Sequence, residues 1–220
     1  MHGYFITGTS TDVGKTYVTA LLLRAFAAAG VAAVGYKPVA CGSREDAERL
    51  REASAGELTL DEVNPLAFRV PAAPMAAALI ENRSLDWPAM IHGAQVLAAR
   101  FPVVLAEGVG GWKVPCSSER TMADFAAELG WPVLVVVDNR LGALNHTLLT
   151  LESIEHHGLT CGGLILNSPR VERDAASISN TMLLSKLTDV SILAEIMHDQ
   201  SDLELPKGLL PSAKLGMPDR

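Results

Sequence analysis

The chain has 220 residues, an apolar fraction of 49% and a formal net charge of −7, which suits a globular protein whose residues 1–220 bury a core as a single domain. The acidic balance comes without a basic stripe, so a nucleic-acid partner is not expected. Apolar runs of strand length and three scattered cysteines without C-x-x-C spacing argue against a membrane span, a zinc site and a disulfide framework, and we expect a cytoplasmic protein.

Short apolar runs alternate along the chain with longer segments of helical length. Several runs are continuously apolar, which is typical of strands buried on both faces. Strands are predicted at Tyr4–Thr7, Ala32–Lys37, Val103–Glu107, Val133–Asp138, Gly163–Asn167 and Ser191–Glu195. Helices are predicted at Lys15–Ala29, Ser43–Ser54, Trp87–Arg100, Thr121–Leu129, Gly142–His157 and Glu172–Leu187. This order predicts an α/β fold with a parallel, doubly wound sheet, helices on both faces, and a ligand crevice beyond the carboxyl ends of the strands.

Two stretches are predicted to lack regular structure. Asn64–Pro74 holds three prolines and is expected to be a long surface loop, a candidate wall of the site. The tail Leu205–Arg220 also holds three prolines and is expected to be irregular. Elsewhere, Gly30, Gly130 and Gly158 follow predicted helix ends, where a left-handed cap favours glycine, and Asp86 is a candidate N-cap.

A glycine-rich segment, TGTSTDVGKT at residues 7–16, lies between the first predicted strand and the first predicted helix. Its glycines let backbone N–H groups approach an anion, Lys15 adds a positive charge, and the Thr16 hydroxyl suits Mg²⁺. The positive end of the helix dipole points to the same place. The segment departs from G-x-x-x-x-G-K-[ST] because its first glycine, Gly8, stands one residue early, which makes the loop one residue longer. We interpret it as the phosphate cradle, or P-loop, of a nucleotide-binding protein.

Charged residues end three of the other predicted strands. Lys37 follows the second strand, where it either serves an anion or pairs with a carboxylate. Glu107 ends the third strand, and an acid there beside a phosphate cradle is the usual companion of Mg²⁺; the alternative is that it bonds backbone amides in the glycine-rich turn that follows. Asp138 ends the fourth strand and competes for the same metal role, or caps the next helix. Spacing alone does not separate these alternatives.

For the remaining candidates, a structural role explains the residue as well as a chemical role or better. Asp46 at a helix start is typical of a dipole-stabilising surface residue. Cys41 is expected to be a small buried thiol rather than a nucleophile, and Trp112 to cover the glycine-rich turn. The helix that begins at Gly142 offers free N–H groups to a carboxylate, although every helix has such an end.

The ordered blocks GTSTDVGKT, GYKPVACGS, AEGVGGW, LGALNH and LILN, spread over residues 4–196, resemble the dethiobiotin synthetase family of biotin biosynthesis. The resemblance implies a P-loop NTPase fold and a homodimer whose active site lies at the subunit interface. It also implies a ligase that uses ATP and Mg²⁺ to close the ureido ring of dethiobiotin from diaminopelargonic acid and CO₂, through a carbamate and a carbamic-phosphoric anhydride.

The resemblance also implies a role for individual residues. Catalytic roles fall to Lys37, Lys15 and Thr11, and Mg²⁺ ligation to Thr16, Asp46 and Glu107. The nucleotide is expected to contact Asp12, Val13, Gly14, Lys15, Thr16, Tyr17, Asp46, Glu107, Gly108, Val109, Gly110, Asn167 and Glu204. The diamine is expected to contact Thr11, Lys37, Cys41, Gly110 and Gly111, with Gly142, Ala143 and Asn145 of the other subunit receiving its carboxylate.

The chain departs from the family pattern at three places. Cys41 stands where relatives often have serine or threonine, Ser168 stands where an acid is common, and Met197-His198 replaces a proline-containing segment beside the nucleotide base. Two rival functions fit less well. A partitioning ATPase of the same superfamily carries a lysine where this chain has Ser10, and an amidase-type synthetase for a cobalamin precursor carries a further glutaminase domain.

Overall fold

The computed structural model describes residues 2–172 and 174–209. Its strands are β1 His2–Gly8, β2 Ala33–Tyr36, β3 Val39–Cys41, β4 Leu66–Phe68, β5 Val103–Glu107, β6 Val133–Asp138, β7 Cys161–Asn167 and β8 Ile192–Ile196. Its helices are α1 Lys15–Ala28, α2 Glu45–Ala53, α3 Leu60–Val63, α4 Pro74–Ile80, α5 Trp87–Arg100, α6 Met122–Leu129, α7 Ala143–His156 and α8 Ala175–Leu187. All the predicted strands and helices are present, with small shifts at their ends.

A parallel sheet of six strands, in the order β2-β5-β1-β6-β7-β8, carries the main core. Every residue of β5 and of β6 is buried, as the continuous apolar runs predicted. The chain leaves β1 toward β2 and later crosses back to β6, β7 and β8. Because parallel crossovers are right-handed, this reversal distributes the helices over both faces and makes the carboxyl end of β1 the switch point where ligands bind in such sheets.

The prediction of one long loop over Asn64–Pro74 was wrong. Leu66–Phe68 forms β4, which pairs with β3 in a second, two-stranded parallel sheet, and Pro74 is the first residue of α4. The pattern hid both elements because the strand has only three residues between prolines, and because proline at the first helical position starts a helix rather than breaking one. The small sheet fixes the chain directly after Lys37.

Local signals at helix ends behaved as predicted. Gly30, Gly130 and Gly158 have φ values of 69°, 67° and 70°, and the Asp86 side chain accepts a hydrogen bond from the Ala89 amide at 3.0 Å. The predicted irregular tail begins with a 3-10 turn at Lys207–Leu209, and residues 210–220 of that prediction lie outside the described residues. None of the described helices combines the length and the apolarity that a bilayer crossing requires.

Candidate active site

The sheet order brings three chain segments to one edge. The P-loop follows β1, Lys37 follows β2, and Glu107 ends β5, which lies between those two strands. Together with the start of α2 they enclose a cleft of about 420 Å³. The cleft is lined by Thr11, Asp12, Gly14, Lys15, Thr16, Tyr17, Lys37, Cys41, Asp46, Arg49, Val109 and Gly110.

The P-loop needs glycine at position 14 for two reasons. Gly14 has a φ of 86°, a left-handed conformation that side chains rarely adopt. A Cβ atom there would lie 2.2 Å from Nδ2 of Asn167, which closes the loop from the opposite side by donating to the Val13 carbonyl at 2.9 Å. The amides at the start of α1 are therefore presented to the cleft.

Lys15 lies deep in this cleft, with 7% of its surface exposed. Burial lowers the pKa of Lys15 to about 8, although attraction from Glu107 partly opposes the shift. Its Nζ atom is 3.4 Å from the Ser10 carbonyl oxygen. An ammonium group that has lost solvation and lacks a close carboxylate gains much from an incoming anion.

Lys37 is the centre of a buried charge network. Its Nζ atom lies 2.6 Å from Oε1 of Glu107 and 3.0 Å from Oδ2 of Asp46. Burial opposes the charge on Lys37, but the two carboxylates outweigh it and raise the pKa of Lys37. Of the two alternatives left by the sequence, the structure shows pairing with carboxylates, in the wall of the cleft.

Glu107 accepts a hydrogen bond from the Thr16 hydroxyl at 2.7 Å through the same oxygen, Oε1, that contacts Lys37. Its second oxygen, Oε2, is buried and has no hydrogen-bond partner among the described residues. The alternative that Glu107 merely bonds backbone amides is therefore not what the structure shows. A buried carboxylate oxygen with free lone pairs is a strong acceptor for a cation.

Asp46 is more than a surface cap at the start of α2. Its desolvation raises the pKa of the carboxyl, but the ion pair with Lys37 outweighs that effect and lowers the pKa. Asp46, Glu107 and Thr16 together offer the oxygen ligands that Mg²⁺ prefers. The described residues hold no cluster of three or more His, Cys, Asp or Glu side chains around a metal-sized space, and Mg²⁺ bound through nucleotide phosphates needs only one or two carboxylates.

The glycine-rich loop after β5 lies against the P-loop. Gly110 has a φ of 62°, and a Cβ atom there would be 3.5 Å from Oγ1 of Thr11 and 2.5 Å from a methyl group of Val114. Trp112 covers this turn, as predicted: it is buried, and its indole N–H donates to Oγ of Ser153 on α7 at 3.0 Å. Gly111 faces the neighbouring cleft that Thr9, Ser10 and Thr11 also line.

Comparison with known proteins decides the family. The chain matches the model described as an AAA domain over residues 2–203. It is 46% identical over 198 residues to the ATP-dependent dethiobiotin synthetase BioD of Anaeromyxobacter dehalogenans, covering 88% of this chain and 89% of that protein. It is 43% identical over 205 residues to the enzyme of the same name from Akkermansia muciniphila, covering 93% and 96%. This chain belongs to the dethiobiotin synthetase family.

Solved structures are related through the fold alone. The MinC:MinD cell division complex of Aquifex aeolicus gives a TM-score of 0.57 at 15% identity, covering 94% of this chain and 86% of that chain. Septum site-determining protein MinD from Pyrococcus horikoshii gives 0.55 at 18% identity, covering 90% and 82%. The fold is thus that of P-loop NTPases, while sequence identity separates this synthetase family member from the partitioning ATPases considered as rivals.

Asn167 lies on the far side of the P-loop from Lys37, at the end of β7. Its Oδ1 atom is buried without a hydrogen-bond partner among residues 2–172 and 174–209, so an acceptor is left over beside the nucleotide cleft. Tyr17 on α1 donates its hydroxyl proton to the Gln200 carbonyl and so joins α1 to the segment after β8. Glu204 lies in that segment and is exposed outside the cleft.

Three further family-implied residues also lie apart from the cleft of their own chain. Gly142, Ala143 and Asn145 open α7, and Gly142 caps it with a φ of 94°. Asp138 neither faces the cleft nor caps a helix: it pairs with Arg140 at 2.6 Å and with Arg170 at 3.1 Å. Both roles considered for Asp138 were therefore wrong, because two arginines take its carboxylate.

Two further features are a cysteine in the cleft and a second groove. Burial raises the pKa of the Cys41 thiol to about 11, which disfavours the thiolate that a nucleophile needs. Cys41 is half-buried rather than buried as predicted. A larger groove of about 670 Å³ lies between α4 and the start of α5. Its charged residues, Arg83 and Arg120, stack on the rings of Phe68 and Trp87.

Sequence reasoning missed Arg49, which lines the cleft. It follows Asp46 by one helical turn, and that i, i+3 spacing was visible in the sequence.

Proposed function

We propose that this protein is an ATP-dependent dethiobiotin synthetase that closes the ureido ring of dethiobiotin from 7,8-diaminopelargonic acid and CO₂. The observation that carries the proposal is the convergence of Lys15, Lys37, Thr16 and Glu107 on one cleft behind a P-loop. Its relatives, named as dethiobiotin synthetases, match most of the chain at 38–46% identity.

The P-loop side of the cleft is the proposed nucleotide site. The amides of Asp12–Thr16 and the ammonium group of Lys15 would hold the phosphates, because both border the same cleft and Lys15 makes no ion pair among the described residues. Val13, Tyr17 and Asn167 would flank the nucleoside. The free Oδ1 of Asn167 suits the exocyclic amine of adenine, which is a hydrogen-bond donor. Glu204 is proposed for the ribose, since its segment is joined to α1 through Tyr17.

The metal site is proposed at Thr16, Asp46 and Glu107. The fit rests on the unpaired Oε2 of Glu107 and on the half-exposed carboxylate of Asp46, whose side chain is 48% exposed. When bound, Mg²⁺ would supply positive charge to the phosphate oxygens at which charge develops. Two carboxylates and one hydroxyl of the chain would hold the ion in place.

Lys37 is proposed as the main catalytic residue. ATP supplies the phosphoryl group that activates a carbamate, made from one substrate amine and CO₂, so that the second amine can close the ring with release of ADP and phosphate. Lys37 lies between the metal-facing carboxylates and the glycine-rich loop, where it also approaches the Gly108 carbonyl at 3.4 Å. Its fixed, raised-pKa ammonium group would neutralise the carbamate and the migrating phosphoryl group without reorganisation.

Thr11 and the loop Gly108–Gly111 are proposed to border the diamine, with Val109 and Gly110 at its junction with the nucleotide. The glycines at 110 and 111 bring backbone close to the P-loop, which leaves room for a substrate between the loops. The Cys41 sulfur, in the same cleft, would contact the diamine as a neutral thiol.

A homodimer is proposed to complete the site. Gly142, Ala143 and Asn145 lie outside the cleft of their own chain, at the N-terminus of α7, where the helix dipole and the amides of the first turn favour a carboxylate. The Ala143 amide itself donates to the Arg140 carbonyl at 3.0 Å, which leaves the other amides of the turn for the ligand. Exposed large apolar side chains lie around them: Leu141 just before α7, Leu149 on α7, and Ile178 and Met182 on α8. Such side chains on two packed helices suit burial against a second copy of the chain.

The three free cysteines support the expected cytoplasmic location, because a reducing compartment keeps thiols free.

The proposal is tested with purified protein, ¹⁴C-bicarbonate, MgATP and the diamine. We expect label in a product that is stable to acid, because the ureido ring survives where a free carbamate returns CO₂. Product should form in step with ADP and require every reactant. Steady ATP hydrolysis without acid-stable label would contradict the function and favour a nucleotide-switch protein.

A further inference from the structure

We propose that Arg49 binds the terminal phosphate of the nucleotide in this cleft, as a third cation beside Lys15 and Lys37. The inference rests on the proposed function, because it takes a nucleoside triphosphate as the occupant. None of the family motifs described above contains Arg49. The proposal for Arg49 comes only from its position in the structure.

The geometry of α2 directs Arg49 to the cleft. Arg49 lines the cleft with Thr16, Asp46 and Lys37, and it follows Asp46 by one turn on the same face of the helix. The other end of α2 lies away from the site, since Ala55 donates to the Ala33 carbonyl at the opposite end of β2. Long helical side chains lean toward the N-terminus of their helix, so the guanidinium group extends toward the phosphates.

Arg49 has no competing partner. It makes no ion pair or hydrogen bond within residues 2–172 and 174–209, whereas the neighbouring acid Asp46 is paired with Lys37 at 3.0 Å. Arg44, which caps the same helix, differs in that it is held by Asn64 and by Asp61. A guanidinium group that lines an anion-binding cleft without a counter-ion is available to an incoming ligand.

The charges of the cleft also call for another cation. Lys15, Lys37 and Arg49 line the cleft with Asp12 and Asp46, and the buried Glu107 pairs with Lys37. Without Arg49, these three carboxylates outnumber the two lysines. A nucleoside triphosphate stays negative with its metal bound. Arg49 shares the wall of the cleft with Thr16 and Asp46, the residues that would hold Mg²⁺ beside the phosphates. This places the guanidinium group at the terminal phosphate, which it can bind in a bidentate manner.

The test compares Arg49→Gln with Arg51→Gln by calorimetric titration of the full-length protein. Arg51 is an exposed residue of the same helix outside the cleft, so its variant removes the same charge without removing the contact. We expect Arg49→Gln to weaken MgATP binding about tenfold, which corresponds to about 1.4 kcal/mol, and MgADP binding much less. Arg51→Gln should bind both like the wild type, and Arg49→Lys should recover part of the loss.

Two results would overturn the proposal: MgATP affinities of Arg49→Gln and Arg51→Gln that are equal, or losses of equal size for MgATP and MgADP. Circular dichroism of both variants checks that the exposed substitutions leave the fold intact. The titration contains neither diamine nor bicarbonate. A failure of the ring-closing function would therefore appear only in the labelling assay, and a failure of the Arg49 contact only in the titration.

Discussion

The ion pair of Lys37 and Glu107 is almost completely buried, with side chains that are 3% and 0% exposed. Removing one member of such a pair leaves an uncompensated charge and typically costs about 3–5 kcal/mol. Lys37→Ala would therefore mix a folding defect with a catalytic one. Glutamine is the better substitution because its amide can still donate to Glu107, while the positive charge is lost.

We predict that Lys37→Gln lowers kcat for dethiobiotin formation by about 10²–10³-fold, the usual effect of removing one preorganised charge-stabilising group. The affinity for MgATP should change little, because Lys15 and the P-loop amides remain. Steady-state kinetics and calorimetric titration measure the two quantities separately. A Lys37→Gln enzyme with wild-type kcat would remove Lys37 from the proposed mechanism.

At the residue scale the sequence predicted the positions of charges but not their pairing. Glu107 and Asp138 both end strands that flank β1, and spacing did not separate them. The choice depends on distant residues: β2 brings Lys37 beside Glu107, while Arg170, 32 residues later, takes Asp138. A local pattern carries no information on such pairs. Asp46 was undervalued for the same reason, since its role depends on Lys37.

The carboxylate of Glu62 holds the short helix α3 in place through several hydrogen bonds. Glu62 accepts from the Thr59 amide and hydroxyl at 2.8 and 2.9 Å in a capping box, and it pairs with Arg100 of α5. The hydrogen bond from Arg100, followed by that from the Thr59 amide, lowers the pKa of Glu62 to about 2. The pair of Glu62 and Arg100 joins α3 to α5. Directly after α3, the side-chain amide of Asn64 donates to the Lys37 carbonyl and so anchors the Lys37 backbone.

We predict that Glu62→Gln lowers the free energy of unfolding at pH 7 by about 0.2–1 kcal/mol, the range for an exposed ion pair. Glutamine keeps the capping acceptor, so the loss reports the charge. Because the folded-state pKa is depressed, this stabilisation is present above the ordinary value of 4.5 and is lost as the pH falls toward 2. Urea denaturation at pH 7 and pH 3 should thus give a smaller difference between variant and wild type at pH 3.

Glu52→Gln is the matched control, since Glu52 is an exposed acid that makes no ion pair within the part of the chain that the structure describes. Its effect on stability should be near zero at both pH values. A Glu62→Gln difference that stays constant between pH 7 and pH 3 would show that the pair with Arg100 does not hold the charged form.

At the element scale, the main sheet was predictable because its strands are continuous apolar runs. The elements that the sequence analysis missed are those without a clear hydrophobic periodicity. Helix α4, with the sequence PMAAALI, is apolar throughout, and its Leu79 and Ile80 are exposed, so it shows no amphipathic stripe. Strand β3 has three residues and pairs only with β4, 27 residues later in register. Elements of this size form because the tertiary structure supports them.

At the scale of the whole molecule, the fold was predictable and the assembly remains a prediction. One chain supplies the cleft proposed for the nucleotide, but the amides proposed for the substrate carboxylate open α7, outside that cleft. If two chains complete each site, defects in different parts of the site should complement each other. Defects in the same part should not.

The prediction uses Lys37→Gln, which damages the cleft, and Asn145→Asp, which adds a negative charge where the carboxylate of the diamine is expected. Asp in the first turn of a helix favours the dipole, so Asn145→Asp should fold normally and raise the KM for the diamine. Each variant alone should be nearly inactive at low diamine concentration. Coexpressed with different tags, they should recover about one quarter of wild-type activity, because random pairing of a two-fold dimer gives half heterodimers, each with one intact site.

The control pair is Lys37→Gln with Lys15→Gln. Both residues line the same cleft of one chain, so every site of that heterodimer carries a defect and no activity should return. Purification through both tags isolates heterodimers, whose specific activity should be about half that of the wild type for the complementing pair. Inactive heterodimers of Lys37→Gln with Asn145→Asp would contradict a shared site, because they would mean that Lys37 and the start of α7 serve the active site of one and the same subunit.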